Sequence, residues 1–238
     1  MQLPAEKYRQ VREECLSEII RKSKIRERHA GSDEERQNIR NLQACAIRFL
    51  DKYAKLRAGA MTDREIDEFY RESVEALERV LRAKKQQYDI VREQIDELRA
   101  ELLRREAKVC NIDSGEYDKE ECERVREQRR DLEYLEGMFD IAREEDLFLI
   151  DARLIACQVA RSIDQKKQCI ESLADLVEVR RDVLPLMCGL PPSEFVGRVV
   201  PGKGIEPPKG RIAKIAGEVA EDFEDAMVCI ENFLSSGR

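Results

Sequence analysis

An all-α fold is what this sequence predicts: an elongated bundle of about five helices organised around a long antiparallel coiled-coil hairpin, with a Pro/Gly-rich loop before the last helix. Three observations carry that expectation. Every seventh residue from Leu135 onward is apolar (Leu135, Ala142, Leu149, Ala156, Ile163, Ile170, Val177, Leu184), which is the repeat of one helix lying along another. Before Pro185 the only glycines are Gly31, Gly59, Gly115 and Gly137, so helix breakers are sparse over most of the chain. Charged residues make up 39% of the 238 and aromatics only 5%, a profile of long, surface-rich helices rather than of a thick globular core.

The elements follow in order. A first helix is expected from Pro4, whose missing N–H costs nothing in a first turn, to Arg28, on a narrow stripe of Tyr8, Val11, Cys15 and Ile19. Ser32 and Glu35 read as a capping box, in which each side chain satisfies a free backbone N–H. The second helix then carries Ile39, Leu42, Ala46, Phe49, Tyr53 and Leu56 and ends at Gly59. A further capping box, Thr62 with Glu65, opens the third helix. Its two heptad rows are Val74, Leu81, Tyr88, Ile95, Leu102, Val109 and Leu77, Lys84, Val91, Leu98, Arg105. With no Gly or Pro between Thr62 and Cys110, it is expected to run as one rod of about 70 Å.

Asn111 to Gly115 is the reversal, built from residues that tolerate turn dihedrals or bond their own backbone. The fourth helix is expected from Glu116 to Leu184, with Gly137 as the weak point where a kink or break would fall. Its second half is apolar on several faces (Leu147, Phe148, Leu149, Ile150, Leu154, Ile155). A helix of that kind is expected to be surrounded, here by the first two helices and the last, leaving positions 88–128 as a protruding two-helix stalk. The expected organisation is therefore a helical bundle over 1–186, an irregular loop over 187–208 with a short extended piece at 195–200, and an amphipathic C-terminal helix over 209–238 docked on the bundle. That last helix carries Ile212, Ala216, Val219, Phe223, Ala226, Ile230 and Phe233.

Several function classes find little support. The net charge is −7, against the basic face that nucleic-acid binding needs. The best basic run (Arg21, Lys22, Lys24, Arg26, Arg28) is flanked by Glu18 and Glu27 and reads as a solvated helix end. No apolar run reaches the length of a bilayer span, and MQLPAEKYRQVREE lacks the order of a signal peptide. The eight cysteines form no CxxC, so a zinc site is not indicated. Cys15, Cys45 and Cys229 sit among apolar positions, so cysteines are expected as small buried residues in a reducing, cytoplasmic setting, with the nucleus as the other reducing compartment. Cys110 and Cys122, flanking the turn, are the pair for which a disulfide is conceivable.

Candidate chemistry is thin. Gly197 to Gly204 has the GxxxxGK spacing, but Gly204 stands where Ser or Thr would hold magnesium and Ile-Glu-Pro-Pro follows where a helix is required. His29 is the sole histidine and reads as a surface residue. A di-metal bundle needs Glu-x-x-His pairs, which one histidine cannot supply. Asp146 and Asp151 are expected to pair with Arg143 or Arg153. A membrane-surface role would use Arg99–Arg105 with Lys108 beside Arg124–Arg130 at the hairpin's end, but each run is interrupted by glutamate.

The stretch Cys122–Leu135 (CERVREQRRDLEYL), with REEDLFLI and ARSIDQ after it, resembles the later helices of the alpha-4 family of all-helical adaptors. That resemblance implies binding to a phosphatase catalytic subunit. The first half of the chain has no counterpart in it, and the Pro/Gly segment departs from it. The expected function is a non-enzymatic scaffold or adaptor acting by protein–protein contact or self-association, with no cofactor, metal or small-molecule substrate. A nucleic-acid or ribonucleoprotein helper, a membrane-surface protein and a phosphatase-binding adaptor are the alternatives. The surfaces expected to carry contacts are the stalk tip (Arg104, Arg105, Lys108) and the loop (Leu190, Phe195, Val199, Lys203, Ile205).

Overall fold

The computed structural model describes residues 3–28, 30–113 and 115–236; His29 and Ser114, read above as surface and turn positions, lie outside the described residues. The chain is all-α apart from one small hairpin. Helix α1 (Pro4–Val11) passes through a π-helical turn (Arg12–Leu16) into α2 (Ser17–Arg28). Helices α3 (Asp33–Arg57) and α4 (Asp63–Val109) follow. Then come α5 (Lys119–Gln158), α6 (Ile163–Val179) and the short α7 (Val183–Met187). A 3-10 turn (Pro192–Phe195) and strands β1 (Arg198–Val200) and β2 (Gly204–Glu206) lead to α8 (Arg211–Ser235).

Two groups of helices build the main core. Helices α1–α2, α3 and α8 form one, with α2 antiparallel to α8 through Lys22–Asp222 and Arg26–Asp222. Helices α4, α5 and α6 form the other. The groups meet at an aromatic cluster in which the Phe49 ring lies 5.3 Å from Phe69 of α4 and 5.8 Å from Phe223 of α8. Helix α4, 47 residues in one piece, is the rod its lack of breakers foretold. Thr62 and Glu65 make the reciprocal capping box at its start. Both heptad rows work: Leu77, Leu81, Ile95 and Leu102 are buried. The distal halves of α4 and α5 form the expected stalk, with its own core of Val91, Ile95, Leu102, Val125, Leu132 and Phe139. Helix α8 docks on its own chain, burying Val219, Phe223, Met227 and Ile230.

Six expectations need correction. The fourth helix is two helices, because Ser162 and Gln165 form a capping box that restarts the chain after Val159. Helix α6 then runs back along α5, so that Asp146 meets Arg180. Gly137, by contrast, passes within unbroken helix, where an added Cβ would meet nothing within 4 Å.

All eight cysteines are paired: Cys15–Cys229, Cys45–Cys188, Cys110–Cys122 and Cys157–Cys169. The cysteines, four of them buried and four half-buried, therefore serve as crosslinks between elements, not as isolated small apolar residues. The Cα–Cα separations, 5.0 to 5.7 Å, suit a bridge.

Asp146 pairs with Lys84, Arg180 and the Tyr88 hydroxyl rather than with Arg143 or Arg153, because its side chain faces α4 and the end of α6. At Ser32 only half of the capping box forms: Ser32 Oγ accepts from Glu35 N, while the Glu35 carboxylate accepts from Gly31 N.

The last correction concerns the second half of the fourth helix. Its α6 part is enclosed, with Ile170, Leu173, Ala174 and Val177 buried. Its α5 part rests on α4 and α6 by one face and leaves the opposite face uncovered.

Candidate functional site

The uncovered face of α5 is the most distinctive surface of the molecule. Tyr134, Ile141, Phe148 and Ile155 recur every seven residues, as do Met138, Glu145, Ala152 and Val159. The two rows interleave at alternating four and three residues, the spacing of a coiled-coil seam. The large apolar members run from 49% exposed at Met138 to 75% at Phe148. Exposed Ala142 and Ala156 border the seam. At 1.5 Å per residue the seam spans roughly 37 Å of helix. Asp131 and Glu127 end it toward the stalk tip, and the end of α5 closes it at the other side.

The exposed charge that α5 itself contributes has one sign. From Gly137 to Val159 the exposed charged residues are Glu144, Glu145 and Asp151. None of the three has an ion-pair partner among the described residues. This contrasts with the rest of the hairpin, where charges are zipped across the helices. Arg92 and Arg99 meet Glu136, Arg126 and Arg129 meet Glu106, and Arg105 meets Glu121.

One flank of the seam is a groove between α5, α4 and the β-hairpin. Leu135, Met138, Phe139, Ala142, Phe195 and Ile205 line it, with Lys84 and Tyr88 at its floor. Lys84 is buried and offset by Asp146 and Asp182. Burial and the Asp146 carboxylate push the Tyr88 phenol well above its ordinary value.

The groove's wall is fixed by α4. Gln94 Oε1 accepts from Val199 N at 2.9 Å, and Gln94 Nε2 donates to Gly197 O at 3.3 Å. Arg79 Nη1 donates to Met187 O at 2.6 Å. Gly197 allows the strands to close, since a Cβ there would lie 2.6 Å from Glu206 O. The GxxxxGK stretch is thus strand, turn and strand, with Val199 paired to Ile205, and lacks the helix that a phosphate loop leads into.

The eight residues expected to carry contacts separate into distinct settings. Phe195 and Ile205 line the groove beside the seam. Leu190 and Val199 are buried against the chain itself, where they hold the loop down. Lys203 is exposed in the hairpin turn, and Arg104, Arg105 and Lys108 are exposed near the stalk tip. The basic run on α2 is partly spent inside the fold: Lys22 and Arg26 reach Asp222, and Arg21 pairs with Glu18.

The Tyr134 row escaped the sequence reading, although its spacing is as regular as the Leu135 row beside it. No helix among the described residues is long and apolar enough to cross a membrane. No protein-family model, curated protein or solved structure matches the chain.

Proposed function

We propose that this protein is a non-enzymatic helical scaffold or adaptor, a subunit that acts by binding another protein. The observation that carries the reading is the α5 seam. Monomers seldom leave contiguous apolar surface uncovered, and such surface marks interaction sites. Here it sits on a scaffold tied by four disulfides, so the helix presents it already ordered, which lowers the entropic cost of docking. Crosslinking of all eight cysteines fits an oxidising compartment better than the cytoplasm.

The test is site-specific photo-crosslinking from single positions in the native cell. A photoreactive residue at Phe148 or Ile155 is expected to capture one discrete polypeptide, while the same residue at exposed Glu75 on α4 captures none. Absence of any discrete adduct from the seam, the hairpin turn and the stalk tip, or steady turnover of a substrate by the purified chain, would overturn the reading.

A further inference from the structure

The seam's charge pattern says what kind of partner fits it. We infer that the α5 seam receives an amphipathic helix of another protein whose apolar stripe is flanked by Lys and Arg. This deepens the contact-protein reading and rests on it.

Two other occupants fit the seam poorly. A second copy of the chain placing α5 against α5 in antiparallel register pairs Tyr134 with Val159, Met138 with Ile155 and Ile141 with Ala152, which is sterically reasonable. The same register sets Glu145 against the partner's Phe148, brings the two Glu145 carboxylates toward the two-fold axis and aligns Glu144 with Asp151 of the other copy. In parallel register Glu145 faces Glu145 directly. Like charges across a helix pair destabilise it and set partner choice. An anionic membrane is disfavoured for the same reason, because interfacial helices that bind one carry Lys and Arg on the polar face. On α5 itself, from Gly137 to Val159, every exposed charge is a carboxylate.

A helix with basic flanks meets all three carboxylates. Glu144 and Asp151 lie seven residues apart on one margin, so two basic residues one heptad apart on the partner reach both. Glu145 interrupts its own apolar row, and a Lys or Arg opposite it leaves no carboxylate facing apolar surface. These carboxylates have no ion-pair partner among the described residues, so binding breaks no ion pair described there. On the other margin the groove of Leu135, Ala142, Phe195 and Ile205 admits larger apolar side chains from the same helix.

The test uses the full, disulfide-intact chain and three labelled helical peptides that share Leu and Ile at the seam positions. Their flanks are Lys/Arg, Gln or Glu. Fluorescence anisotropy is expected to give the basic-flanked peptide about tenfold tighter binding than the Gln-flanked one, weakening as salt rises. The preference inverts in the triple variant Glu144→Lys, Glu145→Lys, Asp151→Lys, and all binding disappears in Phe148→Asp. Circular dichroism checks that both variants keep the wild-type helix content and melting curve. Equal or tighter binding of the Glu-flanked peptide, or basic-peptide binding that survives Phe148→Asp, overturns the inference.

Two controls separate the other occupants. A dimer in sedimentation velocity that Phe148→Asp dissolves makes a second copy the occupant; it refutes this inference and leaves the contact-protein reading standing. Flotation with phosphatidylcholine–phosphatidylserine vesicles that Phe148→Asp abolishes makes lipid the occupant and refutes both.

Discussion

Removing the Cys15–Cys229 bridge is expected to cost more stability than removing any turn-flanking bridge. In the chain-entropy account a crosslink stabilises by restricting the unfolded chain, and the effect grows with the loop closed. Cys15 and Cys229 are 214 residues apart, but Cys45–Cys188 already closes 143 of these, leaving an effective loop of 214 − 143 = 71. That loop corresponds to about 4.4 kcal/mol at 25 °C. Cys110–Cys122, with a separation of 12, corresponds to about 2.8 kcal/mol. Against total stabilities of about 5–15 kcal/mol, the outer bridge is roughly 30% of the whole or more. The π-helical turn holding Cys15 and the helix α8 holding Cys229 are its two ends, so its loss also frees both termini of the fold. The assay is urea unfolding followed by circular dichroism, comparing the Cys15→Ala/Cys229→Ala pair with the Cys110→Ala/Cys122→Ala pair. Alkylation of the denatured, unreduced wild type should find no thiol. Reactive thiols in the wild type, or an outer-bridge loss under about 1 kcal/mol, would show that the bridge does not hold the fold in this way.

Three further outcomes follow from single side chains. Gln43 is buried on α3 with neither Nε2 nor Oε1 bonded, so Gln43→Met should raise stability by about 1–2 kcal/mol in the same urea assay; a loss would mean that the amide is satisfied. Asp146→Ala strips the acceptor from Tyr88 and Arg180 and leaves Lys84 with Asp182 alone. It should cost about 2–4 kcal/mol and lower the pH at which Tyr88 ionises, as phenolate absorbance would show. The Glu65 carboxyl is held at about 2 against an ordinary 4.5, first by Lys55 and then by the Thr62 backbone N–H. A carboxylate depressed in the folded state stabilises fully above the unfolded value and loses that contribution as pH falls through the folded one. The stability gap between wild type and Glu65→Gln should therefore hold from pH 7 down to about 4.5 and close toward pH 2; a gap independent of pH would contradict the cap geometry.

The hairpin and its stalk were legible because α4 carries no breaker and because its apolar rows are backed by α5 over their whole length. Lys84 looked like a fault in one row and is instead neutralised by two aspartates. Helix α5 was harder to read, because it carries two seams. Val125, Leu132, Phe139 and Asp146 face α4, while Tyr134, Ile141, Phe148 and Ile155 face outward, and the conspicuous Leu135 row lies along the margin between them. A helix apolar on two sides reads from sequence as enclosed; only the tertiary structure says that the second side is empty.

The break after Val159 was hidden because the heptad count runs on through it. Yet Ser162 and Gln165 spell the same cap logic as Thr62 and Glu65. Only Cys110–Cys122 stood out as a pair in the sequence; the other three bridges were missed by weighing their cysteines one at a time. An even number of them, with two pairs separated by the same 12 residues across a turn, was the available signal. The two long-range bridges depend on helix order in space and had no local signature.

Whether the α5 seam is kept for a partner is decided by the unfolding free energy of Phe148→Asp set beside that of Leu154→Asp, six residues along the same helix. If the seam exists for a partner and not for folding, Phe148→Asp changes stability by no more than about 0.5 kcal/mol while abolishing capture from Ile155, whereas Leu154→Asp costs several times that. A Phe148→Asp chain that unfolds as readily as the Leu154→Asp chain would mean that the seam serves folding and not a partner.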